Sequence, residues 1–171
     1  QVNVVDLQSG RVLSSVPKIA KWLRDNQPNS LISSQTHANI AIYFATQLAR
    51  YRGKLILREV STPSVNLKST TGVKQSALKK LMMFVYQKAD EVIAVSNGVK
   101  DDLEQYLGIR LKNIKVIYDP VIHDEMFELA KEPIEHPWFK SDRKQPVILA
   151  VGRLTEAKNY ELLINAFRLV L

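Results

Sequence analysis

The sequence contains no cysteine. This rules out a disulfide framework and thiolate metal sites, and it suits a reducing compartment. No apolar run approaches the roughly 20 residues that a membrane-spanning helix needs. The start of the chain lacks the basic, apolar, then small-residue order of a secretory signal. Glycine is scarce, at six of 171 residues, and never clusters. A Walker loop and a G-x-G-x-x-G fingerprint are therefore both excluded. No pair of His, Asp or Glu has metal-ligand spacing, and no Ser-His-Asp set can be assembled. Neither a metal nor a cofactor is expected, and His123 and His136 have no partner pattern.

Charge is plentiful but one-sided. Twenty-four Lys and Arg face 17 Asp and Glu, a formal net charge of +7. Such a surface favours anionic partners. The cations are spread along the chain with no arginine-rich run, so an ordinary soluble surface explains them equally well. Hydrophobic residues make up 46%, enough for a substantial core. The chain begins at Gln1, and Val2 to Leu7 already reads as a strand, so a piece of a longer protein is expected.

Short apolar runs alternate with helical patterns along the whole chain. "VNVVDL", "SLISS", "KLILREV", "DEVIAVS" and "NIKVIYDPV" read as strands. The helices between them begin with "SSVPKIAKWLRDN", where Ser14 or Ser15 can cap and Pro17 suits the first turn. "ANIAIYFATQLARY", "VKQSALKKLMMFVYQKA" and "NGVKDDLEQYLG" follow, the last stopped by Gly108. "STPSVNLKSTTG" reads as a polar loop. Four of the seven prolines (Pro120, Pro133, Pro137, Pro146) then fall together, with a short helix around Glu125 to Ala130. "VILAVG" reads as a further strand and "YELLINAF" as a further helix. The pattern predicts an α/β fold, a Rossmann-like parallel sheet with helices on both faces. The expected organisation is a domain over residues 1–119, a crossover over 120–146, and the start of a second domain over 147–171. Leu162, Leu163, Phe167 and Val170 would then need an apolar partner.

Ligands of open α/β sheets bind at the carboxyl ends of the strands. The turn after "VILAV" is the most informative of these ends. Gly152 lets the backbone bend, and Asn159 can cap the next helix. Arg153 and Lys158 add two full charges beside that helix start, a combination suited to a diphosphate. A solvated turn with incidental cations is the plain alternative. Ser96 or Asn97 can cap the helix after "VIAV", with a phosphate oxygen or sugar hydroxyl as a sharper reading. His37 follows one strand and Glu59 ends another, and both are cleft candidates; a lone histidine there is more often structural. The helix after the polar loop carries Lys74, Lys79, Lys80 and Lys88 outside an apolar face of Ala77, Leu78, Leu81, Met82, Val85 and Ala89. It reads as a core-facing helix, or as a contact with anionic membrane.

"ADEVIAVSNGVKDDLEQYLGI", "IKVIYDPV" and "VILAVGRLTEAKNYELLINAF" together resemble family 4 glycosyltransferases. "SSQTHANIAIYFATQLA" and "LILREVSTPS" are similar to that family's amino-terminal domain. The resemblance implies a GT-B architecture and a retaining, metal-independent transfer from a nucleotide sugar (UDP- or GDP-sugar). It implies that Arg153 and Lys158 hold the donor diphosphate, with Gly152 and Ser96 on the donor side and His37 and Glu59 in the acceptor cleft. A glycan or lipid-linked acceptor is implied, in bacterial surface polysaccharide or lipopolysaccharide synthesis. The implied place is cytoplasmic, peripheral on the inner face of the membrane, with no nucleic acid as partner. The chain by itself is expected to be inactive, because the family's paired-glutamate motif lies further along its second domain. Two positions depart from the family pattern: Val60 stands where many relatives have histidine, and Asp119 stands where asparagine is usual. A sugar-nucleotide epimerase of the same architecture and a basic nucleic-acid-binding domain are the rival readings.

Overall fold

The computed structural model describes residues 3–67, 72–139 and 146–170. The chain divides into two compact units, Gln1–Val121 and Ile122–Leu171.

The first unit is built on four parallel strands, β1 (Ser30–Ser34), β2 (Lys54–Glu59), β3 (Glu91–Ala94) and β4 (Ile114–Val116), in the order β1-β2-β3-β4. Parallel neighbours need crossovers, and the helices supply them. These are α2 (Thr36–Ala49) between β1 and β2, α3 (Pro63–Asn66) and α4 (Gly72–Lys88) between β2 and β3, and α5 (Asn97–Leu107) between β3 and β4. An earlier helix, α1 (Val16–Asn26), packs on α2. Register puts Leu57 beside Ser33 and Val92, and Glu59 beside Ala94. Leu55, Leu57 and Glu59 are buried, whereas the alternate residues Ile56 and Arg58 are only half-buried. The main core joins the buried residues of β2 and β3 to Met82, Val85 and Tyr86 of α4 and to Leu103 and Leu107 of α5. Small residues build a second cluster, Ala20 and Leu23 of α1 against Ala45 and Ala49 of α2.

Several local expectations are met by the predicted chemistry. Ser96 accepts the Val99 N–H at 3.2 Å and caps α5, which ends at Gly108 with φ +71°. Glycine meets no steric penalty in that left-handed conformation. Others are corrected. Residues 3–7 form no strand, because none of the four strands pairs with them and an apolar run alone satisfies no ladder. Neither Ser14 nor Ser15 caps α1. Both hydroxyls donate backwards, to the Arg11 and Val12 carbonyls, and close the 3₁₀ turn Leu13–Ser15. The polar loop after β2 contains α3, its residues 68–71 lie outside the described ones, and its last residue, Gly72, opens α4.

The second unit contains α6 (Asp124–Leu129), a 3₁₀ turn at Pro137–Phe139, a second at Glu156–Lys158, and α7 (Tyr160–Arg168). The strand expected at "VILAVG" does not form. Residues 146–151 have no ladder partner among the described residues, and a single strand is not stable without one. Helix α7 forms as expected, with Asn159 accepting the Leu162 N–H at 3.2 Å. It leaves Leu162, Leu163 and Phe167 exposed.

Candidate functional site

The carboxyl ends of β1 and β2 meet at two turns. Gln35 turns the chain into α2 with φ +81°, and its N–H reaches the Arg58 carbonyl at 3.2 Å. The end of β2 is held from beneath by a buried polar network. Glu59 is 0% exposed. Thr36 donates to its Oε2 at 3.0 Å, the Tyr86 hydroxyl donates to the same oxygen, and the Ser61 hydroxyl reaches Oε1 at 3.4 Å. Asn39 donates to the Tyr86 oxygen and to the Arg58 carbonyl, each at 3.0 Å. Above the network lies a cavity of about 290 Å³, lined by Gln35, Thr36, His37, Val60, Ser61 and Leu67. The loop beyond it is tied to α5, where Asp102 accepts from both the backbone N–H and the hydroxyl of Ser64. A larger cavity, about 590 Å³, lies against residues 5–12 and mixes aliphatic side chains such as Val5, Leu7, Ile32 and Ile42 with polar ones such as Asp6, Gln8 and Arg11. The smaller cavity sits on the buried Glu59 network and is taken as the candidate site.

Burial raises the Glu59 carboxyl above the usual carboxylate range, and its hydrogen bonds only partly offset this. Burial, and then the neighbouring Glu59, push the Tyr86 phenol well above its ordinary value. Folded protein therefore keeps the Glu59 proton to higher pH than unfolded chain does. The associated stability is complete below the ordinary carboxylate range, about pH 4, and is lost as pH rises through the raised folded value. Glu59→Gln should flatten the stability profile above that range in a pH series of denaturant melts. Parallel profiles for the two proteins would disprove the assignment.

The residues chosen from sequence fall into separate groups. His37 is exposed on the cavity rim, and Glu59 lies beneath that rim. Ser96 is half-buried at the end of β3 and is engaged as a helix cap. Gly152, Arg153 and Lys158 belong to the second unit and are exposed. A Cβ built on Gly152 would lie 3.4 Å from both Cδ and Cε of Lys158 and 3.0 Å from the Tyr160 hydroxyl. The lysine stem therefore crosses the glycine. Thr155 N–H donates to the Arg153 carbonyl at 2.8 Å and tightens the same turn. Asp119, one of the two departures, pairs with Arg58, which also donates to Ser34 at 3.1 Å. Among the described residues no group of three His, Asp or Glu could hold a metal ion.

Sequence reasoning missed Tyr86 and Asp102; it placed Thr36, Asn39 and Ser61 in the turns after strands without giving them a role. For Asn39 and Tyr86 a signal existed. Each is a polar-tipped residue on the apolar, buried face of its helix, and such groups are kept only with partners.

The parallel sheet, with polar groups gathered at its carboxyl edge, defines a Rossmann-like α/β protein. The chain belongs to glycosyltransferase family 4: the sequence model of Glycosyltransferase Family 4 matches residues 2–125. The chain is 32% identical over 114 residues to the N-acetylgalactosamine-N,N'-diacetylbacillosaminyl-diphospho-undecaprenol 4-alpha-N-acetylgalactosaminyltransferase of Campylobacter jejuni, covering 67% of this chain and 29% of that protein. It is 24% identical over 165 residues to an uncharacterized glycosyltransferase of Methanocaldococcus jannaschii, covering 94% of this chain and 40% of that one. The chain thus spans less than half the length of either relative.

Proposed function

We propose that the intact enzyme is a retaining glycosyltransferase that moves a sugar from a UDP- or GDP-sugar to a glycan or lipid-linked acceptor. In this reading residues 1–119, all within the first unit, form the acceptor-side domain. Residues 120–146 are the crossover, and residues 147–171 open the nucleotide-sugar-binding domain. The observation that carries the reading is the turn before α7, where the Lys158 stem crosses Gly152 and Arg153 stands next in sequence. As the bond from the anomeric carbon to the diphosphate oxygen breaks, the electron pair goes to that oxygen. The acceptor oxygen bonds to the carbon from the same face and passes its proton to the departing diphosphate oxygen. Arg153 and Lys158 would stabilise the charge growing on the diphosphate, with no metal required. The relative's name supports a diphospho-undecaprenol-linked acceptor, and a bacterial surface-glycan pathway is the setting we propose.

The test is sugar transfer by the intact enzyme from a panel of UDP- and GDP-sugars to a diphospho-undecaprenol-linked N-acetylhexosamine. Transfer with retained anomeric configuration supports the reading. Interconversion of free nucleotide sugars without transfer would establish the epimerase instead. Gly152→Ala should lower the transfer rate on the order of tenfold, because its methyl group pushes on Lys158 and Tyr160. An unchanged rate would mean that the lysine is not held in its working position by this turn.

A lipid-linked acceptor also implies contact with the cytoplasmic membrane face. Phe84 is 48% exposed, with Lys80 and Lys88 one turn before and after it on α4. This suits an anionic bilayer. The predicted group of four lysines is smaller in the structure, because Lys79 sits 5.6 Å from the Tyr106 ring centroid. Changing Lys74, Lys80 and Lys88 to Gln should weaken sedimentation with anionic vesicles by about 1 kcal/mol per lysine. Lys79→Gln should change it little. Equal sedimentation of the triple variant and wild type would end the membrane reading.

A further inference from the structure

Directionality in the buried network assigns a role to Glu59 that packing alone does not require. The Arg58 carbonyl can only accept, so the Asn39 amide must present Nδ2 to it. The other Nδ2 proton goes to the Tyr86 oxygen. Tyr86 has one proton, and it goes to Glu59 Oε2. Thr36 donates to that same oxygen. Asn39 Oδ1 remains buried without a partner among the described residues, which shows that the amide's orientation is dictated by what its nitrogen must reach. With Tyr86 and Thr36 both donating to Oε2, a proton on Glu59 is carried by Oε1, which faces Ser61 on the cavity wall.

Ser61 then offers one of two faces to the cavity. With Glu59 ionised, the Ser61 hydroxyl donates inward and turns its lone pairs outward. With Glu59 protonated, Oε1 donates to Ser61 and the Ser61 proton is released to the cavity. Tyr86 of α4 is the titratable group that faces the carboxyl. Arg58 belongs to the alternate side of β2 and pairs with Asp119, and His37 stands on the outer rim. Burial raises the Glu59 carboxyl, so the donor face of Ser61 persists to higher pH than it would beside a solvated carboxylate.

We propose that Glu59 is a positioning residue for sugar transfer, orienting the Ser61 hydroxyl and holding the α2 and β2 turns so that the cavity between them receives a hydroxyl of the acceptor sugar. The role rests on the glycosyltransferase reading above. It is distinct from that reading in that Glu59 itself touches no substrate.

The test compares Glu59→Gln, Glu59→Ala, Ser61→Ala and Tyr86→Phe in the intact enzyme. Acceptor titrations use the same lipid-linked N-acetylhexosamine at saturating donor, and hydrogen exchange is followed over residues 35–38 and 60–67. Glu59→Ala should raise the acceptor KM about tenfold and speed exchange in both segments. Glu59→Gln should restore both, since its carbonyl can take the Oε2 place and its amide can donate to Ser61. Ser61→Ala should copy the KM change without the exchange change. Where Glu59→Ala does not fold, Tyr86→Phe keeps the ring, removes one donor, and should raise KM about threefold. A folded Glu59→Ala enzyme with wild-type acceptor KM overturns the proposal, as does a Gln variant no better than Ala. If wild-type enzyme transfers no sugar, the transferase reading fails separately. Unchanged exchange in both segments of Glu59→Ala would then overturn the positioning role as well.

Discussion

Lys158→Ala should abolish most sugar transfer by the intact enzyme while leaving its melting temperature almost unchanged. Lys158 is exposed at the end of the 3₁₀ turn Glu156–Lys158, and its stem lies over a glycine rather than in a core. Truncation opens no cavity, so stability should shift by about 0.5 kcal/mol. On the proposed mechanism, the ammonium would matter most when negative charge collects on the departing diphosphate. An interaction that strengthens in the transition state acts on kcat more than on KM. Loss of one such donor costs on the order of a hundred- to a thousandfold in rate. Arg153→Ala should behave similarly, with a larger rise in donor KM, because a guanidinium can hold two phosphate oxygens at once. Steady-state kinetics beside a thermal melt decides the matter. A Lys158→Ala enzyme that melts normally and keeps wild-type kcat would remove this turn from the mechanism.

Gly53→Ala should have the opposite signature, with stability lost and transition-state chemistry intact in whatever remains folded. A Cβ at Gly53 would lie 2.2 Å from the Tyr51 hydroxyl and 2.5 Å from the Pro28 carbonyl oxygen. The hydroxyl can swing away, but the carbonyl belongs to the backbone that leads from α1 into β1. The strain must be met by shifting the start of β2, where Lys54 N–H bonds the Asn29 carbonyl at 2.9 Å. Overpacking of this kind costs roughly 1–3 kcal/mol. The melting temperature should fall by at least about 3 °C. An unchanged melt would mean that the turn between α2 and β2 adapts at no cost. Helix α2 itself ends without glycine: Arg50 takes the left-handed conformation with φ +53°, and Gly53 serves close approach instead.

Much of the sheet was legible because period and punctuation agree locally. "SLISS" is β1 residue for residue, and "KLILREV" and "DEVIAVS" contain β2 and β3. Each is a short apolar run between polar turns, and each is paired in the fold. "VNVVDL" and "VILAVG" have the same local signature and form no strand. Composition reports the wish to be buried, but a ladder needs a neighbour, and that is not local information. The candidate site shows the same division. Ser96 and Asn159 could be read as caps because the cap bond spans three residues. The Glu59 network joins residues 23, 27 and 47 positions apart, and no sequence window contains such a set.

By itself, the sequence determined the alternation of strands and helices over residues 30–116, the helix caps at Ser96 and Asn159, the basic charge, and the two-cation turn at residues 152–158. These depend on residue type and on spacings of a few positions, where backbone geometry is nearly invariant. Only the tertiary structure decided that Glu59 is buried beneath the cavity rather than open to it, that Lys79 is drawn onto Tyr106, and that Asp119 pairs with Arg58. The physical reason is that burial and pairing are properties of the neighbours a residue acquires, and in a parallel sheet those neighbours arrive across crossovers of a dozen residues or more.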